Sequence, residues 1–411
     1  MRMLGLELKR LLKTRSVSVL LCAALLLSGV MAYFPISFVS SYVMDGQGNV
    51  TQVSGLAAIQ AEKEWKAASA GAVTEEKVQS AIRTFRECYQ EYGSIFPPEV
   101  PMEVYLEKIE PVYDILNACD WLAPPQVYLL TMTDQDIQEE DAEDFYEKWQ
   151  TAFAQQETKE EVQRQIWEMV AQVETPFTYV PGYSSESFDY LVLYLFLLLF
   201  LYAVIAAQSF SAEYQTGADH ILRCAKYGRW KLAIVKMGAV LILFAGTFAA
   251  GAAVFLLITN SAFGWEGLST SIQMMGSVFK LPDLTIGQTQ AVTVLCGFLT
   301  LAASISCVLF VSAKSRNVHT AMIISIFLCL LPTIIYMVSS ANVADILRSI
   351  LPSGGIGLSN SFLFELEGTN FAQIGSIHLW LPYLMMGAAV VEIPVFLLLA
   401  GRAYSRTSNR T

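Results

Sequence analysis

Long apolar runs alternate with short polar connections over most of the chain. Six of these runs are long enough to cross a bilayer, which requires about 20 residues of helix. They lie at roughly 16–38, 189–209, 237–259, 289–312, 318–340 and 379–400. One much longer polar stretch, residues 41–188, separates the first run from the second. The pattern predicts an all-α integral membrane protein with six transmembrane helices and one large domain inserted between helices 1 and 2.

The segment that precedes the first run, residues 1–15, has an amphipathic pattern. One helical face carries leucines and the opposite face carries basic residues: Leu4, Leu8, Leu11 and Leu12 against Lys9, Arg10 and Lys13. This pattern is typical of a helix that lies on a membrane surface. A secretory signal peptide is the alternative, because Val30-Met31-Ala32 resembles a cleavage site. The segment is longer and more amphipathic than a usual basic n-region, which favours the interfacial helix.

The inserted domain shows helical periodicity throughout. Thr74 followed by two glutamates is typical of a helix start, and Gly93 is typical of a helix end. Further helices are predicted at about 102–120, with Pro111 as a kink, from Thr133 onward, and at about 158–173. No alternating run indicates a strand. We therefore expect residues 41–188 to form a mostly helical domain, with transmembrane helices 2–6 in residues 189–411.

The composition supports a membrane protein, since 54% of the residues are hydrophobic and only 15% are charged. A soluble protein usually has about 25% charged residues. The net charge of -11 is unevenly distributed. Of the 37 Asp and Glu residues, 27 lie in residues 41–188, with only 9 of the 26 Lys and Arg residues. The remaining basic residues cluster at the ends of the apolar runs.

These basic clusters predict the orientation of the helices, because Lys and Arg near helix ends stay on the cytoplasmic side. With six spans, four clusters fall on one face: Arg2 to Arg15, Arg223 to Lys236, Lys314 with Arg316, and Arg402 to Arg410. The shorter loops of the other face contain only Lys280 and Arg348. We therefore expect a multi-pass plasma-membrane protein with cytoplasmic termini and with residues 41–188 outside the cell.

Two further outer loops, residues 260–288 and 341–378, are unusually apolar. They are interpreted either as short helices that dip into the outer leaflet, where aromatic residues are favoured, or as loops packed beneath the outer domain. The sequence leaves both alternatives open.

Catalytic motifs are absent from the sequence. The three histidines, His220, His319 and His378, are not spaced for a metal site, and there is no phosphate-binding G-x-x-x-x-G-K-[ST] loop. The acidic segment 134–144 lacks the glycine and the final Glu of a calcium loop, so a solvated helix start is the better interpretation. We expect no catalytic residue, no metal site and no directly bound cofactor.

Three isolated residues are candidates for special roles. Cys88 and Cys119 are the two cysteines of the outer domain, and an oxidising exterior permits a disulfide between them; two unpaired thiols are the alternative. Glu392 lies near the middle of the sixth span, where an ionisable group costs a few kcal/mol and is a functional candidate. The alternative for Glu392 is a protonated or water-facing side chain next to Pro394, at a subunit interface.

The polar segment between spans two and three, residues 210–236, resembles that of the permease subunits of type-2 ATP-binding-cassette (ABC) exporters. Their pattern at this position is an aromatic residue, Glu, Gly, a short helix, Arg, and a Lys that enters the next span. The corresponding residues here are Phe210, Glu213, Gly217, Arg229 and Lys236, with the sequence HILRCAKYG between Gly217 and Arg229. The family usually has Pro or Ser before the Arg, where this chain has Tyr-Gly. The large outer domain resembles one subgroup of these permeases.

The resemblance implies a coupling helix at about 213–227, seated in a groove of a separate cytoplasmic ATPase that binds the ATP and Mg. Arg223 and Lys226 would pair with acidic groups of that ATPase, Glu213 would bond to backbone amides, and Gly217 would permit close approach. Arg229 and Lys236 are either specific contacts or positive-inside anchors. A second permease copy or paralogue and membrane lipids are the other expected partners, with no nucleic acid, in a bacterial membrane.

Three classes of function follow from these observations. The leading hypothesis is the membrane subunit of an ABC exporter. The alternative is a membrane-anchored sensor whose outer helical domain binds a ligand and signals inward. A membrane-embedded enzyme is a third class, disfavoured because buried polar pairs are scarce. The side chains select no transported substrate.

Overall fold

The computed structural model of the protein describes residues 2–46, 48–224 and 228–406. Six of its helices are long and apolar enough to cross a membrane, which confirms the six predicted spans. They are α2 (Arg15–Phe38), α9 (Ser185–Thr216), α11 (Trp230–Phe263), α12 (Ile286–Lys314), α13 (Val318–Val338) and α16 (Leu381–Arg406). A separate amphipathic helix, α1 (Arg2–Lys13), precedes the first span.

Shorter elements connect these spans. The other helices are α3 (Leu56–Lys66), α4 (Glu75–Tyr92), α5 (Met102–Val104), α6 (Tyr113–Cys119), α7 (Phe145–Gln155), α8 (Glu160–Val170), α10 (Ala218–Cys224), α14 (Asn342–Ser349) and α15 (Phe362–Glu367). The strands are β1 (Ser40–Met44), β2 (Val50–Ser54), β3 (Gly71–Ala72), β4 (Thr178–Tyr179), β5 (Phe371–Ile374) and β6 (Ile377–Trp380). They form three antiparallel pairs, β1–β2, β3–β4 and β5–β6.

Two spans, α9 and α12, form the centre of the helical bundle. In α9 and α12, 61% and 72% of the most apolar stretch is buried, compared with 22–33% in the other four spans. α12 packs against α9 and α16, while α9 also packs against α2 and α13. The buried surface of α12 is rich in small residues, which lets helix backbones approach closely: Gly297, Ala302, Ala303, Ser304 and Ser306.

A close contact between α9 and α11 depends on Gly251. A Cβ atom at this position would collide with the hydroxyl oxygen of Tyr194. We expect Gly251→Ala to lower the free energy of unfolding by about 1–3 kcal/mol, because extra volume in a packed interface displaces neighbouring side chains. Gly246→Ala on the same helix is the control, since no atom lies within 4 Å of its Cβ position. Thermal unfolding in detergent measures both. Equal stability of the two variants would contradict the expectation. Tyr194→Phe should partly restore the stability of Gly251→Ala, because it removes the hydroxyl oxygen with which the new Cβ collides.

The inserted domain, which lies between α2 and α9 in the sequence, is built around a hydrophobic core that later parts of the chain also join. The helix expected between Thr74 and Gly93 is present as α4: the Thr74 hydroxyl accepts a hydrogen bond from the Lys77 backbone at 3.4 Å, and Gly93 ends the helix at φ +73°. Trp149 of α7 is fully buried at the centre and donates from Nε1 to the Val278 carbonyl oxygen at 3.1 Å. Val278 belongs to the loop between α11 and α12, so this loop contributes to the core.

Short strands in the inserted domain are a difference from the sequence-based expectation. β1 and β2 form a hairpin directly after the first span, and β3 pairs with β4 across the domain. The strands have two to five residues, which is too short for an alternating pattern to be detectable. Asp45 closes the hairpin turn, because its side chain accepts a hydrogen bond from the Asn49 backbone N–H at 2.9 Å. The domain is nevertheless mostly helical.

The helix expected at 102–120 is interrupted. A π-helical turn, Tyr105–Ile109, and a 3₁₀ turn, Glu110–Val112, separate α5 from α6. Pro111 lies in this interruption and has no N–H to donate, which explains why a regular helix does not continue through it.

The loop between α11 and α12 packs beneath the inserted domain. Ile272, Met274, Met275, Val278 and Leu281 are buried in the same core as α4 and α7. Of the two alternatives that the sequence left open for residues 260–288, the structure shows the packed loop.

The loop between α13 and α16 contains α14, α15 and the β5–β6 hairpin, held by a buried ion pair. Arg348 is 2% exposed and donates to Glu365 Oε1 at 2.7 Å and to Asp345 Oδ1 at 2.9 Å. Glu365 is fully buried and also accepts a hydrogen bond from Asn370 Nδ2 at 2.8 Å. Phe362 and two other residues of α15 join the core of the inserted domain, so this loop too packs against the domain.

Candidate functional site

The segment between the second and third spans begins with a sharp break at Gly217. α9 continues past Glu213 to Thr216, and Gly217 ends it at φ +71°, a conformation that glycine adopts without strain. A separate seven-residue helix, α10, follows. The sequence interpretation placed one coupling helix at about 213–227. The structure instead assigns Glu213 to the end of the span and begins the short helix at Ala218, because the left-handed glycine divides the segment.

Four charged side chains meet at this end of the bundle. Lys236, near the start of α11, donates a hydrogen bond to Glu213 Oε1 of α9 and lies 3.4 Å from Glu7 Oε1 of α1. Arg10 of α1 pairs with Glu7 and lies 3.6 Å from Glu213. We call Glu7, Arg10, Glu213 and Lys236 the ion quartet. It joins α1 to α9 and α11, two helices that lie far from α1 in the sequence.

The ion quartet is almost completely removed from solvent at its centre. The Lys236 side chain is 1% exposed and the Glu213 side chain 8%, whereas Arg10 remains 45% exposed at the edge. Two carboxylates face two cations, so the formal charge sums to zero. Burial of an unpaired charge is costly, and this balance makes the burial tolerable. Lys236 is therefore buried and paired with carboxylates. A positive-inside anchor needs only a basic side chain at the membrane surface, so the structure favours a specific contact for Lys236.

The end of α9 is also fixed to the fourth and sixth spans. The Ser312 hydroxyl of α12 accepts hydrogen bonds from the backbone N–H groups of Phe210 and Ser211 at 3.0 and 3.1 Å, and donates to the Ala207 carbonyl at 2.7 Å. The Phe210 ring is fully buried and packs 5.0 Å from the Tyr404 ring of α16. Phe210 thus occupies a packing position inside the bundle.

An exposed surface lies next to the ion quartet. A groove of about 450 Å³ runs between α1, the end of α9 and α10, and its walls include Arg10, Glu213 and Ile221. Ile221 is 79% exposed, although it is a large apolar residue, and the His220 side chain is also exposed. Ala212, Ala218 and Leu222 line the same groove, so Ile221 belongs to a mostly apolar surface bordered by Arg10 and Glu213. A contiguous apolar surface with a polar rim is typical of a protein contact surface.

The other predicted coupling residues have different positions. Arg223 lies in α10, Arg229 is exposed directly before α11, and Lys226 lies outside the described residues. The structure therefore brings Glu213 and Lys236 into direct contact but does not join Arg229 to them. Gly217 forms the break between α9 and α10.

Glu392 lies in α16, two residues before Pro394. One of its carboxylate oxygens is buried, and within the described part of the chain it has no hydrogen-bond partner. A transport role for Glu392 remains a prediction.

Cys88 and Cys119 are separate, buried thiols in the structure, so the disulfide considered from the sequence is not formed. The Cys88 Sγ donates to the Ser94 carbonyl oxygen at 3.8 Å. Burial raises the pKa of both thiols, which keeps them protonated and unreactive.

Sequence reasoning missed the contribution of α1 to this site. Glu7 is the only acidic residue in the strongly basic segment 2–15, and this isolated charge was a usable signal. Its proximity to Lys236, more than two hundred positions away, has no signature in a single sequence. Ser312 and Tyr404 were also missed, because a Ser or Tyr at the end of an apolar run is ordinary.

Comparison with known proteins supplies the family. The family described as ABC-2 family transporter protein matches residues 114–401, well over half of the chain. The chain belongs to the ABC-2 transporter family. Its members are membrane components of ABC transporters and are not themselves catalytic, and the family in general associates with an ABC ATPase. No curated protein and no solved structure matches the chain.

The family match includes the five spans α9, α11, α12, α13 and α16, together with the segment that carries α10 and two members of the ion quartet. It begins inside the inserted domain, at Asp114, and leaves α1 and α2 outside. This ABC-2 chain is therefore a multi-pass membrane protein and a permease subunit of an ABC transporter.

Proposed function

We propose that this ABC-2 permease exports its substrate and is driven by a separate ATPase that docks on α10 from the cytoplasm. The basic ends of the helices support the orientation, since Arg and Lys residues flank α1, α10, the α12–α13 connection and the end of α16. The inserted domain then lies outside the cell, and both termini lie inside.

The observation that carries this proposal is the ion quartet, two members of which line the same groove as α10. A movement of the ATPase would act first on α10, which a single glycine joins to α9. Because Glu213 is paired with Lys236 and approaches α1 through Arg10, the displacement would pass to α1, α9 and α11 together. Ser312 would extend it to α12. Short, paired contacts transmit displacement, whereas a flexible linker would absorb it.

The remaining parts of the assembly follow from the same proposal. Two permease halves, identical or paralogous, would form the transport pathway along their interface, within bacterial plasma-membrane lipid. Arg223 and Lys226 would pair with acidic groups of the ATPase, and Arg229 would contact it or the lipid headgroups. ATP and Mg would be bound by the ATPase subunits alone. Specificity for the transported substrate would reside in the permease dimer.

Ile221→Asp tests the docking surface. Ile221 is 79% exposed, so the permease should insert and fold normally. We expect the amount of co-purified ATPase and the ATP hydrolysis of the purified complex to fall by at least about tenfold, because burial of a charge in an apolar contact costs more than about 1.4 kcal/mol. The measurement is pull-down of the full chain from native membranes in nonionic detergent, followed by ATP hydrolysis in vesicles.

Leu130→Asp is the matched control. Leu130 is 75% exposed on the inserted domain, at the opposite end of the molecule from α10 in the proposed orientation. The control should retain the ATPase. Loss of the ATPase from Leu130→Asp and its retention by Ile221→Asp would reverse the orientation, and retention by both would place the docking surface elsewhere.

A further inference from the structure

A cavity of about 480 Å³ lies where the inserted domain meets the ends of the spans. Small-molecule sites in proteins typically have volumes of about 300–1,000 Å³. One wall is apolar and comes from the end of α2 and the end of α11: Pro35, Phe38, Val39 and Phe263. The other wall is polar and comes from α3, α6 and the segment that leads into α9.

Contacts within the protein hold the polar wall of the cavity in place without a ligand. Tyr179 donates its hydroxyl to Asp114, and Tyr183 donates to the Met274 carbonyl oxygen at 2.7 Å. Gly182 adopts φ +108°, and a Cβ there would collide with the carbonyl oxygen of Phe263. The segment that precedes α9 therefore lies directly against the end of α11, which fixes the shape of the cavity.

Charged groups around the cavity differ in whether they have a partner of opposite charge. Lys66 lies 3.1 Å from Asp114 and 3.7 Å from Glu110, so its ammonium group is engaged by two carboxylates. Lys63 is turned toward Glu266, 3.8 Å away. Glu62 lines the cavity from the same helix, and within the described residues no hydrogen bond or ion pair involves its carboxylate. One partly buried carboxylate is thus left facing the open volume.

The raised pKa of Glu62 is consistent with a carboxylate that is partly buried and has no direct partner. Burial raises the pKa of Glu62 to about 7, and Lys66 opposes the shift. The carboxylates of Glu110, Asp114 and Glu186 add to it. The neighbouring phenols remain neutral, because burial raises the pKa of Tyr113, Tyr179 and Tyr183. A cation placed against Glu62 would relieve this burial of negative charge.

We propose that this cavity binds a small organic ammonium ion with an apolar group. The ammonium group pairs with Glu62, and the apolar group packs against Phe38 and Phe263. A monovalent cation fits, because Glu62 is the unpaired carboxylate and the other carboxylates of the polar wall are engaged by Lys66, Tyr179 or serine hydroxyls. This site is distant from the ion quartet, and the inference does not depend on the proposed docking of an ATPase.

Benzylammonium tests the proposal, with benzoate and benzyl alcohol as probes of the same shape but different charge. Isothermal titration is performed on the full chain in nonionic detergent at pH 8. We expect benzylammonium to bind at least about tenfold more tightly than either probe, since a hydrogen bond to a charged group contributes about 1.5–3 kcal/mol. Equal or tighter binding of benzoate would overturn the cation preference, and equal binding of benzyl alcohol would leave only an apolar cavity.

Two variants locate the binding. Glu62→Gln should weaken benzylammonium binding by about 10- to 100-fold, corresponding to that same loss. Glu64→Gln, on the exposed face of the same helix, should leave the affinity for benzylammonium unchanged. Val39→Phe, which fills the cavity from its apolar wall, should abolish binding while leaving the Glu62 charge in place. Unchanged affinity in both Glu62→Gln and Val39→Phe would show that the cation binds elsewhere.

The pH dependence provides an independent readout. As the pH falls from 8 to 6, Glu62 passes through its pKa of about 7 and becomes protonated. Benzylammonium affinity should then fall about tenfold, because only about a tenth of the carboxylate remains charged one unit below the pKa. In Glu62→Gln the affinity should be the same at both pH values. An equal fall in the wild type and in Glu62→Gln would assign the titration to another group.

Discussion

Lys236→Met is expected to destabilise the protein by about 3–5 kcal/mol, the usual cost of removing one partner from a buried ion pair. Lys236 is 1% exposed, and its loss leaves the Glu213 carboxylate, which is only 8% exposed, without its nearest cation. The membrane-inserted protein should unfold at a markedly lower temperature in detergent and accumulate poorly in the membrane. Thermal unfolding monitored by size-exclusion chromatography gives the shift.

A second substitution separates lost charge balance from lost packing. Lys236→Met combined with Glu213→Gln leaves the Glu7–Arg10 pair neutral, so the double variant should recover most of the stability. Lys231→Met is the control, because Lys231 is exposed on the same helix. If Lys236→Met were as stable as Lys231→Met, or if the double variant were less stable than either single variant, the quartet would not be an electrostatically balanced unit.

We expect Arg348→Leu to destabilise the protein by about as much as Lys236→Met. Glu365 is fully buried and would lose its only cation among the described residues. The Arg348 guanidinium also lies 5.2 Å from the centre of the Tyr336 ring, an attraction that leucine cannot replace. The connection between α13 and α16 should loosen, and native-state hydrogen exchange should report faster exchange in α14 and α15.

Glu365→Gln in the same chain should restore much of the loss, since a glutamine keeps the hydrogen bond from Asn370 without the charge. Asp345→Asn should change stability by less than about 1 kcal/mol, because its carboxylate is partly exposed and water replaces the lost interaction. If Asp345→Asn were as damaging as Arg348→Leu, the intrahelical pair, rather than the contact with α15, would hold this loop.

The six spans were predictable because a bilayer-length helix leaves a long, uninterrupted apolar signal. The start and end of α4 were predictable because Thr74 and Gly93 act locally, through their own hydrogen bonds and backbone angles. The division of the polar segment at Gly217 was not. A glycine in a helix-compatible stretch is consistent with both a bend and a continuous helix, and only the observed φ of +71° separates α9 from α10.

Contacts between distant residues explain the remaining differences. Glu213 and Lys236 were selected one by one from a family pattern, but their pairing with each other and with Glu7 depends on how three helices converge. Likewise, the apolar loop 260–288 was compatible with the outer leaflet or with a packed position beneath the outer domain, and the structure places its Met274 and Val278 in the core. The apolar character of these residues predicted an apolar environment. Whether that environment was lipid or a protein core depended on tertiary packing.

The shared core of the inserted domain has a practical consequence. A fragment containing only residues 41–188 would lack Val278, the hydrogen-bond acceptor of Trp149, and would expose the apolar face that α15 covers. Such a fragment would tend to aggregate, and antibodies raised against it would recognise a surface hidden in the intact protein. Reagents that must recognise this domain in the intact protein are better selected against the full chain.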